Sequence, residues 1–108
     1  MAPSTTTTFS LRTVLEKDKL NGTNYTDWTR NLRIILRAEK KEDALDTPLP
    51  KEPADDATIS VKNAYKKACD NNLEVSCLML GCMEPELQMQ FETNHEAHHM
   101  IVALKDMF

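Results

Sequence analysis

Only two glycines, Gly22 and Gly81, occur in the 108 residues of this chain, and that scarcity limits the folds it can adopt. Folds built from strands and tight turns need many positions with positive φ, which glycine supplies most readily. Helix-forming residues such as Leu, Ala, Lys, Glu and Met are abundant instead. The sequence therefore predicts an all-α protein, a small bundle of about four to five helices with a disordered N-terminal lead-in and a proline-rich loop.

The length of the chain allows one domain with one modest core. Residues 1–9 are polar and rich in threonine, so we predict a disordered lead-in there and a helical domain over residues 10–108. Within residues 10–17, Leu11, Val14 and Leu15 recur at helical spacing. That spacing favours one or two turns of helix.

The first long helix is predicted to begin near Asn24 and to end between residues 39 and 41. Asn24 is a typical N-cap because its side-chain oxygen can accept an unpaired backbone N–H. Trp28, the only tryptophan, is expected to anchor the core against the later helices. The apolar residues at helical spacing form the predicted inner stripe: Tyr25, Trp28, Leu32, Ile35 and Leu36.

Three arginines, Arg30, Arg33 and Arg37, form a basic stripe beside the apolar one, and Ile34 points away from it. One interpretation is a solvated face whose arginines pair with carboxylates nearby in the chain. The other is contact with an acidic patch on a neighbouring subunit, or weak contact with RNA. Ile34 either packs under the N-terminal segment or belongs to an exposed contact surface. We treat these four residues as a candidate assembly surface.

Three prolines within residues 47–53 predict a stiff, extended loop after the first long helix. A second long helix is predicted from about Thr58 to Met83, with its second half buried at the centre of the protein. Asn72 interrupts its apolar stripe, so a kink or a break there is an alternative. Seven residues share the predicted inner face: Val61, Ala64, Tyr65, Ala68, Val75, Met79 and Cys82.

Two further helices are predicted after the second long one. Pro85 suits the first position of a short helix that ends at Phe91. Thr93 or Asn94 then caps a last helix that reaches Phe108. Its predicted inner face contains Ala97, Met100, Ile101, Leu104 and Phe108.

Charge and apolar patterning exclude several classes of protein. The formal net charge of −4 disfavours a nucleic-acid platform, which usually carries a basic field. No apolar run approaches the roughly 20 residues that span a bilayer, and the first residues lack the pattern of a signal peptide. The cysteines, an odd number without metal-type spacing, are predicted to be buried, reduced thiols: Cys69, Cys77 and Cys82. We expect a cytoplasmic location and no membrane contact.

The string from His95 to His99 satisfies H-E-x-x-H, the pattern of zinc-peptidase helices. That chemistry needs two histidines one turn apart, a general-base glutamate and a third protein ligand. His95, Glu96 and His99 meet the spacing, but Asp106 lies about 10 Å along a helix from His99, too far to share a metal. We therefore predict exposed histidines, no catalytic residue, no metal and no cofactor.

One ordered block of residues resembles a known family. The segment Leu20-Asn21-Gly22-Thr23-Asn24-Tyr25-Thr26-Asp27-Trp28, followed by Leu32 and Leu36, is similar to the LNGxNYxxWxxxLxxxL signature that opens the Gag region of plant copia-type retrotransposons. The resemblance continues through residues 32–36, 45–50, 75–80 and 100–108. Its core and motif residues here are Leu20, Gly22, Tyr25, Trp28, Leu32 and Leu36.

The resemblance implies a helical capsid domain whose copies assemble into virus-like particles. Partners would be other Gag copies, with RNA bound only indirectly through downstream helical and zinc-knuckle regions that this sequence lacks. No enzymatic activity or small-molecule substrate is implied. The chain would then be a fragment, a degenerate copy or a recruited gene, and the alternative function is a host-recruited helical adaptor derived from Gag. A neighbouring protease, integrase and reverse transcriptase would favour the element over the adaptor.

Overall fold

A computed structural model of the protein describes residues 12–108, so the predicted lead-in over residues 1–9 lies outside the described residues. The described part is helical, and its strand-like pairing is limited to one parallel bridge between Leu20 and Met83. The all-α prediction is confirmed. Six helices follow in order: α1 over 12–17, α2 Tyr25–Ala38, α3 Asp43–Asp46, α4 Ile59–Gly81, α5 Pro85–Phe91 and α6 Ala97–Met107.

Helix α2 lies where the apolar stripe predicts it. Four stripe residues are buried, namely Trp28, Leu32, Ile35 and Leu36, whereas Tyr25 is half-buried at the edge of the core. Asn24 is the N-cap residue, but the predicted side-chain cap is wrong, because its Oδ1 accepts the N–H of Asn21 instead.

Helix α2 ends in a turn that needs one left-handed residue. Lys40 takes φ 61°, the Lys40 N–H donates to the Arg37 carbonyl, and the Lys41 N–H donates to the Leu36 carbonyl. Paired bonds of this kind satisfy the last carbonyls of a helix and turn the chain sharply. The turn leads directly into α3, a single turn that the sequence analysis did not predict. Leu45 on α3 is buried, and its burial gives this short helix a place in the core.

Helix α4 is continuous over 23 residues, so the alternative of a break at Asn72 is wrong. Its N-terminus is as predicted, since the Thr58 side chain accepts the Val61 N–H at 3.2 Å. Asn72 is buried and joins α4 to the start of α6. Its Nδ2 donates to the His95 carbonyl at 2.6 Å, and its Oδ1 accepts the Ala97 N–H at 2.8 Å. The amide that interrupts the apolar stripe therefore satisfies backbone groups at the α6 terminus.

The two halves of α4 differ in burial. All four of its buried residues lie in the second half: Asn72, Val75, Ser76 and Met79. In the first half, Val61 and Ala64 are exposed, which corrects the predicted inner face. Tyr65 and Ala68 are only half-buried. The second half is not buried on every side either, because Leu73 and Cys77 are exposed and Leu78 is half-buried.

Helices α5 and α6 close the core. Helix α5 runs from Pro85 to Phe91 as predicted, with the proline at its first position. Helix α6 begins at Ala97, two or three residues later than predicted, because the Asn94 side chain accepts the Glu96 N–H and caps no helix. Its inner residues Ala97, Met100, Ile101 and Leu104 are buried, but Phe108 is not. Within residues 12–108, none of the helices combines the length and the apolarity that crossing a membrane requires.

Candidate interaction surfaces

The motif segment, which we define as residues 20–28, is attached to the junction between α4 and α5. The Leu20 N–H donates to the Cys82 carbonyl at 2.9 Å, and the Glu84 N–H donates to the Leu20 carbonyl at 2.9 Å. Trp28 Nε1 donates to the same Cys82 carbonyl at 3.1 Å. Leu20 and Trp28 are both buried. The motif segment therefore holds two distant parts of the chain together through backbone and indole hydrogen bonds.

The polar residues of the motif segment form its own turn. Asn21 Oδ1 accepts the Thr23 N–H at 3.0 Å, and Asn24 Nδ2 donates to the Lys19 carbonyl at 3.0 Å. Gly22 takes φ 95°, a conformation that residues with a Cβ rarely adopt. A Cβ at Gly22 would lie 3.3 Å from Phe108 Cε1. The sequence of the turn is thus accounted for by local geometry and packing.

Phe108, predicted on the inner face of α6, is 44% exposed and lies at the edge of the core. Its ring centroid is 5.4 Å from that of Tyr25, with the planes tilted by 32°. Such tilted aromatic pairs are favourable beyond the area they bury. The motif segment therefore also contacts the C-terminal end of α6.

The three arginines of α2 pair with carboxylates of the same protein. Arg30 pairs with Asp27, Arg33 lies 3.4 Å from Glu42 and 3.1 Å from Asp46, and Arg37 lies 3.3 Å from Glu42. The hydrogen bond from Arg37, followed by its charge and by Arg33, holds the pKa of Glu42 below its usual range. The first interpretation of the stripe, local pairing on a solvated face, is what these contacts display.

Ile34 is 43% exposed in the middle of this arginine face. A shallow depression of about 440 Å³ surrounds it, lined by Tyr25, Thr26, Thr29, Ile34 and the three arginines. The structure thus brings all four residues of the candidate assembly surface together. An exposed aliphatic side chain ringed by paired charges resembles the centre and rim of a protein–protein contact.

A second network ties α1 to α4. Arg12 makes two hydrogen bonds to Glu39, Nε to Oε2 at 2.8 Å and Nη2 to Oε1 at 2.5 Å. Lys41 lies 3.9 Å from Glu39 and also pairs with Glu74 on α4. This network of ion pairs holds α1 against the turn that ends α2.

The H-E-x-x-H string does not form the helical arrangement that its spacing suggested. His95 precedes α6, so it does not share a helix face with His99 one turn on, as the spacing had suggested. Glu96 Oε2 accepts the Leu49 N–H at 3.4 Å and lies 3.3 Å from His99 Nε2. Among residues 12–108, no group of three or more metal-ligating side chains lies close enough together to hold an ion.

His98 has a structural contact instead. Its Nδ1 lies 2.7 Å from the Leu45 carbonyl oxygen, which accepts only, so Nδ1 carries the proton. The bond links α6 to α3. Together with the Glu96–Leu49 contact, it fastens the proline-rich loop and α3 to the first turn of α6.

The cysteines are free thiols in three different environments. Cys82 is buried as predicted, and burial raises the pKa of its thiol. Cys69 is half-buried and Cys77 is exposed, so the prediction of three buried thiols is wrong for Cys77. Cys77 lies on the side of α4 opposite its buried stripe, so the usual preference of cysteine for burial is not met there.

A groove separates the proline-rich loop from the first half of α4, and the sequence analysis did not find it. Its volume is about 330 Å³. The lining combines small and apolar side chains with a few polar ones: Asp43, Ala44, Thr47, Pro48, Leu49, Pro50, Ala64, Lys67, Ala68, Asn71 and Asn72. The sequence signal for it was the apolar stripe of α4, which continues into the first half of the helix, where the described residues leave Val61 and Ala64 exposed.

Comparison with known proteins gave no relative: no family model matches the chain, and neither a curated protein nor a solved structure matches it.

Proposed function

We propose that this chain is a structural, non-catalytic capsid domain of the copia-type Gag class, whose copies associate through protein–protein contacts. Its binding partners would be other copies of itself in the cytoplasm, with RNA reached only through regions outside this sequence. The observation that carries the proposal is the role of the motif segment. Leu20, Gly22, Tyr25 and Trp28 join α2, the α4–α5 junction and the end of α6.

The ordered motif supports the resemblance because its residues act as one structural unit. The spacing within the motif segment has a physical reason here: the Leu20 N–H and Trp28 Nε1 both donate to the Cys82 carbonyl, while Gly22 leaves room for Phe108. A change in spacing between these residues would separate contacts that meet at one point. The contacts of the motif segment therefore explain the fold, and the assignment to the Gag class rests on the resemblance alone.

The arginine face supports association with another protein rather than chemistry on a small molecule. Ile34 is exposed, and the surrounding arginines already have carboxylate partners. Burying Ile34 against a neighbour would remove apolar surface from water without leaving a bare cation behind. We therefore assign Arg30, Arg33, Ile34 and Arg37 to one contact between copies.

Sedimentation velocity over a wide concentration range, followed by electron microscopy of the pelleted material, tests the proposal. We expect the sedimentation coefficient to rise with concentration, and Ile34→Asp to reduce that rise. Val102→Asp is the matched control, since Val102 is 46% exposed on α6 and does not line the depression around Ile34. A chain that stays monomeric at every concentration, also when extended by its natural downstream sequence, would contradict the proposal.

A further inference from the structure

The outer side of α5 has one exposed apolar side chain between two carboxylates. Met89 is 71% exposed. With 3.6 residues per turn, it lies about 160° around the helix from both Leu87 and Phe91, which are buried. Glu86 and Glu92 are three positions to either side of Met89, about 60° around the helix from it, and both are exposed. We call Glu86, Met89 and Glu92 the acidic face.

The acidic face has no cation to balance it. Neither Glu86 nor Glu92 forms an ion pair with another residue in the described range 12–108. The sequence contains no lysine or arginine from Ala68 to Leu104, so α5 and the segments on both sides of it lack such charges. A partner that fits this face therefore presents cations around an apolar side chain.

The arginine face of α2 has that pattern with the opposite charge. Ile34 is 43% exposed, and the neighbouring side chains of Arg30 and Arg37 are 61% and 72% exposed. Arg30 and Arg37 are about 10 Å apart along α2 at 1.5 Å per residue. By the same rise, Glu86 and Glu92 are about 9 Å apart along α5. Each face thus has two like charges at nearly the same spacing, with an apolar side chain between them.

The carboxylates that already pair with the arginines do not use all of their donors. A guanidinium group has five N–H donors. Arg37 bonds Glu42 through Nε alone, and Arg30 bonds Asp27 through Nη2 alone. Each arginine can therefore keep its partner within the chain and donate to a second carboxylate. The internal pairs hold the side chains in place and leave donors for another molecule.

We propose that the acidic face of one copy binds the arginine face of the next, with Met89 against Ile34 and the two glutamates accepting hydrogen bonds from Arg30 and Arg37. The inference rests on the proposed self-association and names the surface of the second copy that the arginine face contacts. Because the two faces differ, the contact is head-to-tail, and its repetition gives a ring or an open chain of copies.

Charge selects a head-to-tail contact over a twofold one. A pairing of the acidic face with itself would place carboxylates opposite carboxylates, and a pairing of the arginine face with itself would place guanidinium groups opposite each other. Exposed ion pairs contribute little each, and two short helix faces bury less than a standard-sized interface. The contact is therefore weak for a single pair of copies and is weakened further by salt.

Charge reversal of the acidic face tests the contact by sedimentation velocity. The acidic-face variant carries Glu86→Lys and Glu92→Lys, which bring cations against the arginines. We expect its self-association to be at least about ten-fold weaker than that of the unaltered protein. The matched control carries Glu52→Lys and Asp56→Lys, the same charge change at two exposed carboxylates in the loop before α4. The control should associate as the unaltered protein does.

A mixture of two variants tests the head-to-tail arrangement. The acidic-face variant retains the arginine face, and Ile34→Asp retains the acidic face. Each variant alone should stay monomeric at a concentration where the unaltered protein associates. An equimolar mixture should form one-to-one complexes that grow no further, because each complex buries both intact faces. High salt should dissociate these complexes.

A second variant of the same face guards against an effect on folding. Glu86 lies in the first turn of α5, where a carboxylate favours the helix. Met89→Lys leaves that turn unchanged and replaces a side chain that is mostly exposed. It should also weaken self-association at least about ten-fold, because it puts a cation at the apolar centre. Circular dichroism melts of Met89→Lys should match those of the unaltered protein.

The outcomes separate this contact from the proposed function. If the unaltered protein associates and either Met89→Lys or the acidic-face variant associates equally well, the α5 contact is wrong while the proposed function stands. If both partners of the mixture are weakened but form no complex together, the two faces do not bind each other and the inference is wrong. If the unaltered protein never associates, the inference and the proposed function are both wrong.

Discussion

The two halves of α4 belong to one uninterrupted helix, yet they differ in charge and in what covers them. The second half packs beneath α5, α6 and the motif segment and contains every buried residue of the helix. The first half faces the proline-rich loop and α3 across a groove, and none of its side chains is fully buried among the described residues. A helical stripe therefore reports which side of a helix is apolar, and the position of other elements decides how far along the helix that side is covered.

Trp28→Ala should produce the largest loss of stability, because it removes the largest buried side chain and the hydrogen bond to the Cys82 carbonyl. We expect the free energy of unfolding to fall by about 3–5 kcal/mol. Urea denaturation followed by circular dichroism measures the change. Trp28→Phe keeps a ring without the N–H donor and should lose less. Val61→Ala, in the first half of α4, should lose little stability. If Val61→Ala and Trp28→Phe lowered the free energy of unfolding equally, the contrast between the two halves of α4 would be wrong.

Asn72→Ala should have the next largest effect, because it leaves the His95 carbonyl and the Ala97 N–H without their partner. Loss of such buried hydrogen bonds costs about 1–3 kcal/mol. Asn71→Ala is the matched control, since its side chain makes no hydrogen bond within the described range and lines the groove instead. Thermal melts of the two variants should separate clearly. Coincident melts would mean that the amide contributes nothing at the α4–α6 contact.

Gly22→Ala tests the turn of the motif segment. The left-handed backbone and the approach of Phe108 should together cost about 1–2 kcal/mol. Gly81→Ala is the control at the other glycine, where an added Cβ meets nothing within 4 Å at the last residue of α4. There we expect a neutral or slightly stabilising change, since alanine favours helix. If the Gly22→Ala and Gly81→Ala variants had the same melting temperature, the turn at Gly22 would tolerate a side chain.

Amide hydrogen exchange should show the smallest of these effects, but it compares the two halves of α4 at the level of short segments. Backbone amides of residues 62–70 should exchange faster than those of residues 72–81, because local opening of the first half exposes little buried surface. Mass spectrometry of peptic fragments at low protein concentration measures both segments in one molecule. Uniform exchange along α4 would contradict the comparison.

Periodicity was sufficient to predict the long helices, and the scarcity of glycine together with the abundance of helix formers predicted the all-α class. The stripe of α2 and the proline at the start of α5 were predicted from local physics, which acts within a few residues. Helix α3 was missed because a single turn has too few residues to display a period, and its stability comes from burying Leu45. The late start of α6 has a similar origin, since Asn72 on α4 binds the backbone at that point.

The candidate surfaces were predictable only in part. The arginine face was identified from spacing, but its pairing with Glu42 and Asp46 depends on the turn at Lys40, which no local pattern indicated. The groove depends on where the proline-rich loop lies relative to Ala64 and Ala68. Contacts between segments far apart in the chain are set by the whole fold, so they could not be derived from either segment alone.

The bonds between the motif segment and the α4–α5 junction also affect how the protein folds. Trp28 and Cys82 are 54 positions apart. Closing so long a loop costs chain entropy that is recovered only when both ends meet, whereas helices α2 and α4 gain contacts within a few residues. We therefore expect the helices to form early and the motif segment to dock late. During synthesis, the core would close only after residues 82–84 have left the ribosome.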